Sequence, residues 1–303
     1  MTVNRKDFIK STAIILGAIL YPGKSLLSLT RFFSLSGVRE IRPNIGVFTS
    51  EGGTIGWYIT DDELVVIDSQ SPESAKNFLE EIKVKTDRRI DILFNTHHHG
   101  DHTSGNYYLK NFTDKIVAHE NCPVLQKKFY GKGEQKNKQV YADTTFNSEW
   151  EYNLGSEQLK AYHFGSAHTA ADAFVHFQNS NVVHMGDLVF NKIYPYMDRP
   201  AGCYIEGSIN VLEKIIKLFD NETIFIYGHA SSAENTTGSI DDLITMKNYF
   251  TALLEFVKKE MKDGKPLSEI KKAAYISGFE DLTELWQGAK DMSLTAAFEE
   301  LSS

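Results

Sequence analysis

Seven consecutive residues, Thr96-His97-His98-His99-Gly100-Asp101-His102, constrain this chain more than any other stretch. Imidazoles and a carboxylate packed so densely cannot form a hydrophobic core, and their polar atoms need partners wherever they are buried. Written as His-x-His-x-Asp-His, the spacing favours metal ions as those partners. A stretch that enters extended alternates its side chains, so His97 and His99 point one way and His98 the other. Gly100 then lets the backbone turn, and Asp101 and His102 face a second point nearby. The run therefore offers two donors to each of two ions. Neutral imidazole and carboxylate suit Zn²⁺, and Fe or Mn accept the same donors.

The flanking sequence supplies a setting and further donors. Ile90-Asp91-Ile92-Leu93-Phe94-Asn95 reads as a short buried strand. The histidine run thus begins where a strand ends, a usual place for a site in an α/β protein. Downstream come Gly165-Ser166-Ala167-His168, then His184-Met185-Gly186-Asp187-Leu188, then Tyr227-Gly228-His229. Each sets a His or Asp beside a small residue and near an apolar run, so that the backbone can come close to a site. Taken in order, His97-x-His99-x-Asp101-His102, His168, Asp187 and His229 resemble the metallo-β-lactamase fold superfamily of binuclear metallohydrolases. The resemblance spans roughly residues 40 to 235.

That resemblance implies an α/β fold, a four-layer α/β-β/α sandwich in which two mixed sheets face each other under helices. It implies two Zn²⁺ per chain, with Fe or Mn as alternatives. His97, His99 and His168 would hold the first ion, Asp101, His102 and His229 the second, and Asp187 would bridge them. The implied chemistry is hydrolysis by a hydroxide shared between the ions, with Asp101 as the catalytic carboxylate that orients it. An Asp at position 187, where many zinc β-lactamases carry Cys or Ser, is similar to the glyoxalase II-like, lactonase-like and exported branches. The expected substrate is a small-molecule ester, thioester, lactone or amide. A β-lactamase is the alternative within the enzymes. A non-catalytic metal-binding protein on the same fold is a third reading, weakened because all seven donor positions are filled.

Around these positions the residues choose second partners. Asp68, which ends the apolar run Leu64–Ile67, and Asp172, four residues past His168, are expected to orient imidazoles. His98, His119, His163, His176 and His184 read as structural histidines, and Tyr194, Tyr196 and Asp198 as residues that line the pocket.

Element patterns agree with a mixed fold. Val38–Thr49 and Thr54–Thr60 read as strands, and Ser71-Pro72-Glu73 opens a helix with a cap, a first-turn Pro and an acid at the dipole's positive end. A helix is expected over Thr103–Leu109, and hairpins over Trp150–His163 and Ala173–Met185. From Ser239 onward the chain reads as helical, with Leu243, Met246, Phe250, Leu253, Leu254, Val257 and Met261 in one apolar stripe. The stripe is expected to pack on the sandwich or on a partner subunit, which makes a homo-oligomer through these helices an expectation. The organisation is then 1–35 export signal and linker, 36–238 catalytic domain and 239–303 helical extension.

The N-terminus carries Arg5 and Lys6 before the apolar run Ala13–Tyr21, too short to span a bilayer. It is similar to a twin-arginine export signal with Lys6 in place of the second Arg, which predicts a periplasmic protein. No later stretch is apolar for long enough to be a transmembrane helix. A net charge of −8 without a basic face argues against nucleic acid as a partner and leaves a small-molecule substrate. The two cysteines, Cys122 and Cys203, fall in no metal motif and are expected to be free, buried thiols.

Overall fold

The computed structural model describes residues 37–303, so the expected export signal and linker lie outside the described residues. The alternation within one short strand explains the layering. In β4 (Leu64–Ile67) every residue is apolar and buried. Val65 and Ile67 point into a core shared with the second sheet. Leu64 and Val66 point the other way, onto Phe78, Leu79 and Ile82 of α1 (Pro72–Ile82). A strand covered on both faces has no polar face to show, hence the continuous apolar run.

The first sheet has seven strands in sequential order. They are β1 (Gly37–Arg42), β2 (Ile45–Thr49), β3 (Ile55–Ile59), β4, β5 (Ile90–Asn95), β6 (Thr113–His119) and β7 (Thr144–Phe146). Pairing is antiparallel up to β4 and parallel from β4 to β7. The second sheet has six strands in the order β15-β13-β11-β10-β9-β8. These are β8 (Glu149–Asn153), β9 (Gln158–Tyr162), β10 (Phe174–Phe177), β11 (Val182–His184), β13 (Ile224–Ile226) and β15 (Thr237–Gly238). A separate parallel pair joins β12 (Phe190–Asn191) to β14 (His229–Ala230).

Between the sheets lie Phe94, Phe146, Leu159, Val175, Phe177 and Ile226. The outer face of the second sheet, including Phe174, Val183 and Phe225, packs on the C-terminal helices. The four-layer sandwich is therefore present, with helices over both outer faces. The apolar stripe lies in α6 (Ile240–Lys262), opened by a Ser239–Asp242 capping box, and is buried within this chain. Cys122 and Cys203 are free and buried. Among the described residues no helix is long and apolar enough to cross a membrane.

Three elements differ from expectation. The strand read over Val38–Thr49 is a hairpin, because Pro43 cannot extend a ladder and Asn44 turns the chain at φ +69°. The helix read from Thr103 begins earlier, as a turn α2 (Gly100–Thr103), and resumes as α3 (Asn106–Leu109). It breaks at Gly105, whose N–H donates to the Gln70 carbonyl and where a Cβ would come within 2.0 Å of the Ser69 oxygen. The C-terminal part is helical only in α6, α7 (Leu267–Ile270) and α8 (Ala289–Ser302), with turns between Lys271 and Gly288. The remaining helices are α4 (Asn121–Tyr130) and α5 (Ile205–Leu218); in the final order α4 precedes α5 through α8.

Candidate metal centre

The site forms where strand ends from both sheets meet. β5 releases the histidine run, and β11 and β13 run parallel with His184 opposite Ile226. Three residues beyond each of those partners stand Asp187 and His229. The Gly228 N–H donates to the Gly186 carbonyl at 2.8 Å and locks these two strand ends together. A Cβ on Gly228 would lie 2.0 Å from Asp187 Oδ1, so this approach admits only glycine. His168 arrives on the loop between β9 and β10.

All seven expected donors converge, in two adjoining groups. His97, His99, His168 and Asp187 form one, and Asp101, His102 and His229 the other, with the ligating atoms of each group within 4.8 Å of one another. His97 Nε2 and His168 Nε2 each stand 3.0 Å from His99 Nδ1. Asp187 lies between the groups. Its Oδ2 is 3.8 Å from His97 Nε2, 3.6 Å from His168 Nε2 and 3.5 Å from His229 Nε2. Its Oδ1 is 3.2 Å from His102 Nε2, yet buried without a hydrogen-bond partner. His229 Nε2 stands 3.0 Å from Asp101 Oδ2 and 3.3 Å from His102 Nε2.

Hydrogen bonds behind the rings dictate their tautomers. His168 Nδ1 donates to the Tyr196 carbonyl at 3.0 Å, an oxygen that can only accept. His99 Nε2 donates to Asp198 Oδ2 at 2.8 Å, and His102 Nδ1 to Asp68 Oδ2 at 2.7 Å. The Thr96 hydroxyl donates to Asp68 Oδ2 at 2.8 Å, so it accepts from His97 Nδ1 at 3.0 Å. In neutral rings the inward nitrogens of His97, His99, His102 and His168 are then bare lone pairs. In the first group they face one another at hydrogen-bond distance with no proton between them. That arrangement and the orphaned Asp187 oxygen fit a bound divalent cation, and imidazole with carboxylate suits zinc, iron or manganese.

The electrostatics follow from burial among like groups. Burial, with the neighbouring histidines adding to it, holds His97 well below the usual imidazole range and His168 at about 3. Burial alone would raise the Asp187 carboxyl, but the charges of His229 and His102 outweigh it and keep the group ionised. His102 is likewise opposed by burial and raised by Asp187, Asp68 and Asp101.

Of the expected orienting residues, Asp68 contacts a ring and Asp172 does not. Asp172 accepts from Thr169 N and Oγ1, and so shapes the loop beside His168. Asp198, expected only to line the pocket, is the partner of His99. His98 lies beside the donors rather than away from them: its ring is 4.5 Å from that of His99, it also packs against Phe129 and Tyr130, and neither of its nitrogens has a hydrogen-bond partner. His163 and His184 bond to backbone carbonyls, which fits their structural reading.

A family model for the metallo-beta-lactamase superfamily matches residues 50–247, which includes every one of these donors. The chain belongs to that superfamily. Its relatives are diverse. It is 23% identical over 217 residues to a metallo-beta-lactamase type 2 of Elizabethkingia meningoseptica, covering 66% of this chain and 80% of the relative. It is 28% identical over 150 residues to a hydroxyacylglutathione hydrolase of Bartonella tribocorum, covering 48% of this chain and 51% of the relative. Among solved structures, a metallo-beta-lactamase from Pontibacter korlensis superposes with a TM-score of 0.61 at 18% identity, over 71% of this chain and 98% of that one. The stereoselective inverting sec-alkylsulfatase Pisa1 from Pseudomonas sp. gives 0.68 at 14% identity, over 87% of this chain and 50% of that one. This chain thus spans about half the length of the glutathione hydrolase and of the alkylsulfatase. At these identities the structural likeness speaks for the fold.

Proposed function

We propose that the chain is a hydrolase that uses two zinc ions to cleave an ester, thioester, lactone or amide bond in a small molecule. The observation that carries this reading is the convergence of bare lone pairs on His97, His99 and His168, with Asp187 between them and the His102–His229 group. His97, His99 and His168 would hold one ion, Asp101, His102 and His229 the other, and Asp187 would give one oxygen to each. Bound there, divalent ions supply Lewis acidity and lower the pKa of water towards ~7. The chain's own residues do the positioning. Asp68, through Thr96 and directly, keeps His97 and His102 aimed inward. Asp198 and the Tyr196 carbonyl do the same for His99 and His168. Asp101, at the exposed edge and held ionised by the charges of His102 and His229 against its burial, would accept a proton from a water and so fix its direction.

Hydrolysis of β-lactams is the second reading, favoured by the likeness to the Elizabethkingia enzyme. Asp rather than a thiolate between the two donor groups speaks for the first. The test is metal content by mass spectrometry together with turnover on esters, lactones, thioesters and β-lactams. Two ions per chain and chelator-sensitive turnover of an ester, lactone or thioester are expected. Turnover unaffected by chelators overturns the metal reading, and a fully loaded chain inert on the whole panel returns the non-catalytic alternative.

We also propose, from Arg5, Lys6 and the apolar run Ala13–Tyr21, that the protein is exported to the periplasm. Fractionation of the native host checks this, and a protein found only in the cytosol with Met1 intact counts against it.

A further inference from the structure

We infer that Trp286 and Tyr196 select the substrate, by seating an aryl group beside the metal centre; the inference rests on the hydrolytic reading of that cleft. The first observation is where Tyr196 stands. Its carbonyl fixes His168, while its ring meets His99 edge-on, with centroids 5.5 Å apart at 82°, and His168 at 6.3 Å and 61°. A ring placed so close to the donors nonetheless leaves 38% of its surface exposed. The second is what backs it. Trp286, half-buried on the turn-rich stretch after α7, packs on Tyr196 at 5.7 Å and 64°.

The third observation is another exposed ring, on a helix tied to the Tyr196 loop. Phe129, also 38% exposed, lies 5.4 Å from the His98 ring at the end of α4. Lys128 Nζ donates to the Pro200 carbonyl at 3.0 Å and ties that helix end to the loop carrying Tyr196. Tyr130, next to Phe129 on the same helix, stacks on the His98 ring with centroids 6.3 Å apart at 28°. Aromatic side chains of two separate segments thus lie beside His98, His99 and His168. Exposed aromatic surface flanking a polar centre binds apolar groups, and ring pairs in offset or edge-on contact gain beyond the area they bury. A substrate ring entering beside the donors would pack on the exposed surface of Tyr196. The turn-rich stretch between α7 and α8 would then set specificity while taking no part in holding metal.

Thiols bind zinc directly and serve as probes that need no turnover. Zinc-loaded protein is titrated calorimetrically with ethanethiol and with 2-phenylethanethiol. The parent is expected to prefer the aryl thiol by about tenfold or more. Trp286→Ala should remove most of that preference and leave ethanethiol affinity unchanged, and Trp286→Phe should restore part of it. Thermal melts and zinc content show that each variant is folded and loaded. An unchanged preference in Trp286→Ala overturns the inference, as does an equal loss for both thiols, which would make Trp286 only a prop for Tyr196 and His168. If neither thiol binds to protein whose zinc content is confirmed, this inference is overturned and the metal reading stands. Selective aryl binding that depends on Trp286, in a protein that hydrolyses nothing on the ester, lactone and thioester panel, keeps the aryl seat and overturns hydrolysis alone.

Discussion

Asp68 satisfies the Thr96 N–H with one oxygen, and the Thr96 hydroxyl and His102 Nδ1 with the other, at 2.7 to 2.8 Å. It is fully buried and sits at φ +64°, in the left-handed region that Asp enters more readily than most side chains. Through Thr96 it reaches His97, so one carboxylate orients a ring in each donor group. Asp68→Asn places an amide N–H against a donor whichever way it turns. The expected cost is about 1–3 kcal/mol of stability for each stranded donor, and a zinc affinity about 10–100-fold weaker. Urea melts and zinc titrations measure both, and a variant unchanged in affinity removes Asp68 from the site. His119 gives the pH counterpart, away from the metal groups. Its ring stacks on His163 at 3.8 Å, and its Nδ1 accepts the Asn121 N–H at 3.3 Å. Burial, and then the neighbouring His163, push it down to about 4. The folded pKa lies below the unfolded value of 6.5, so between pH 6.5 and about 4 the unfolded chain holds more protons. Stability is therefore full above pH 6.5 and is lost as pH falls through that window. His119→Phe keeps the stacked ring without the titration, and should flatten the fall of the melting midpoint with acid. A slope identical to that of the parent would show that His119 does not contribute.

At the scale of elements, α5 begins without a side-chain cap from Tyr204, the residue before it. Glu300, on α8, does that work from 95 residues away. Its Oε2 accepts the Ile205 N–H at 2.8 Å and Arg199 Nη1 at 3.0 Å, and its Oε1 accepts the Glu206 N–H at 3.0 Å. A carboxylate at a helix N-terminus also meets the positive end of the dipole. Because Arg199 follows Asp198, the last helix steadies the loop that orients His99. Glu300→Ala should cost about 1–2 kcal/mol, as loss of a cap does, and should weaken zinc binding as well. Calorimetric melts with and without zinc test both; a stability loss with no change in zinc affinity would confine Glu300 to capping. None of this is legible in sequence. The convergence of the candidate donors was, because histidine and aspartate at fixed spacing beside glycine are rare and have few other uses. The strand β13 was, because Ile224-Phe225-Ile226 is short, β-branched and bounded by polar residues. Asp198 was read only as a pocket-lining residue; its bond to His99, like the contacts of Glu300 and Trp286, joins distant segments, and nothing local marks such partners. The break at Gly105 was hidden for the same reason, since the Ser69 carbonyl that excludes a side chain there lies on another loop.

For the molecule as a whole, the two sheets do not need the metal centre to pack. The core between them, with Val65, Phe94, Val175 and Phe177, lies beyond the strand ends that carry the donors. The centre is instead a place where the fold holds groups that repel. Inward lone pairs on His97, His99 and His168 stand 3.0 Å apart, and the chain carries a net charge of −8. Divalent cations relieve both, and they find these donors gathered only in the folded state. A ligand confined to the folded state stabilises by about 4 kcal/mol for each site at a thousandfold excess over Kd. For a chain of this size each kcal/mol moves the midpoint by about 2–4 °C. Zinc should therefore raise the melting midpoint by roughly 10 °C or more in all, and a chelator should reverse the rise. Imidazoles must be neutral to bind, so the zinc-dependent part should fade as pH falls, first through His102, which its carboxylate neighbours hold above the usual imidazole range, and last through His168, which burial holds at about 3. Differential scanning calorimetry at several pH values, with zinc or chelator, gives both results. Zinc that binds at two ions per chain without moving the midpoint would be binding the unfolded chain equally well. The convergence of His97, His99, His168 and Asp187 would then not be a site built to hold it.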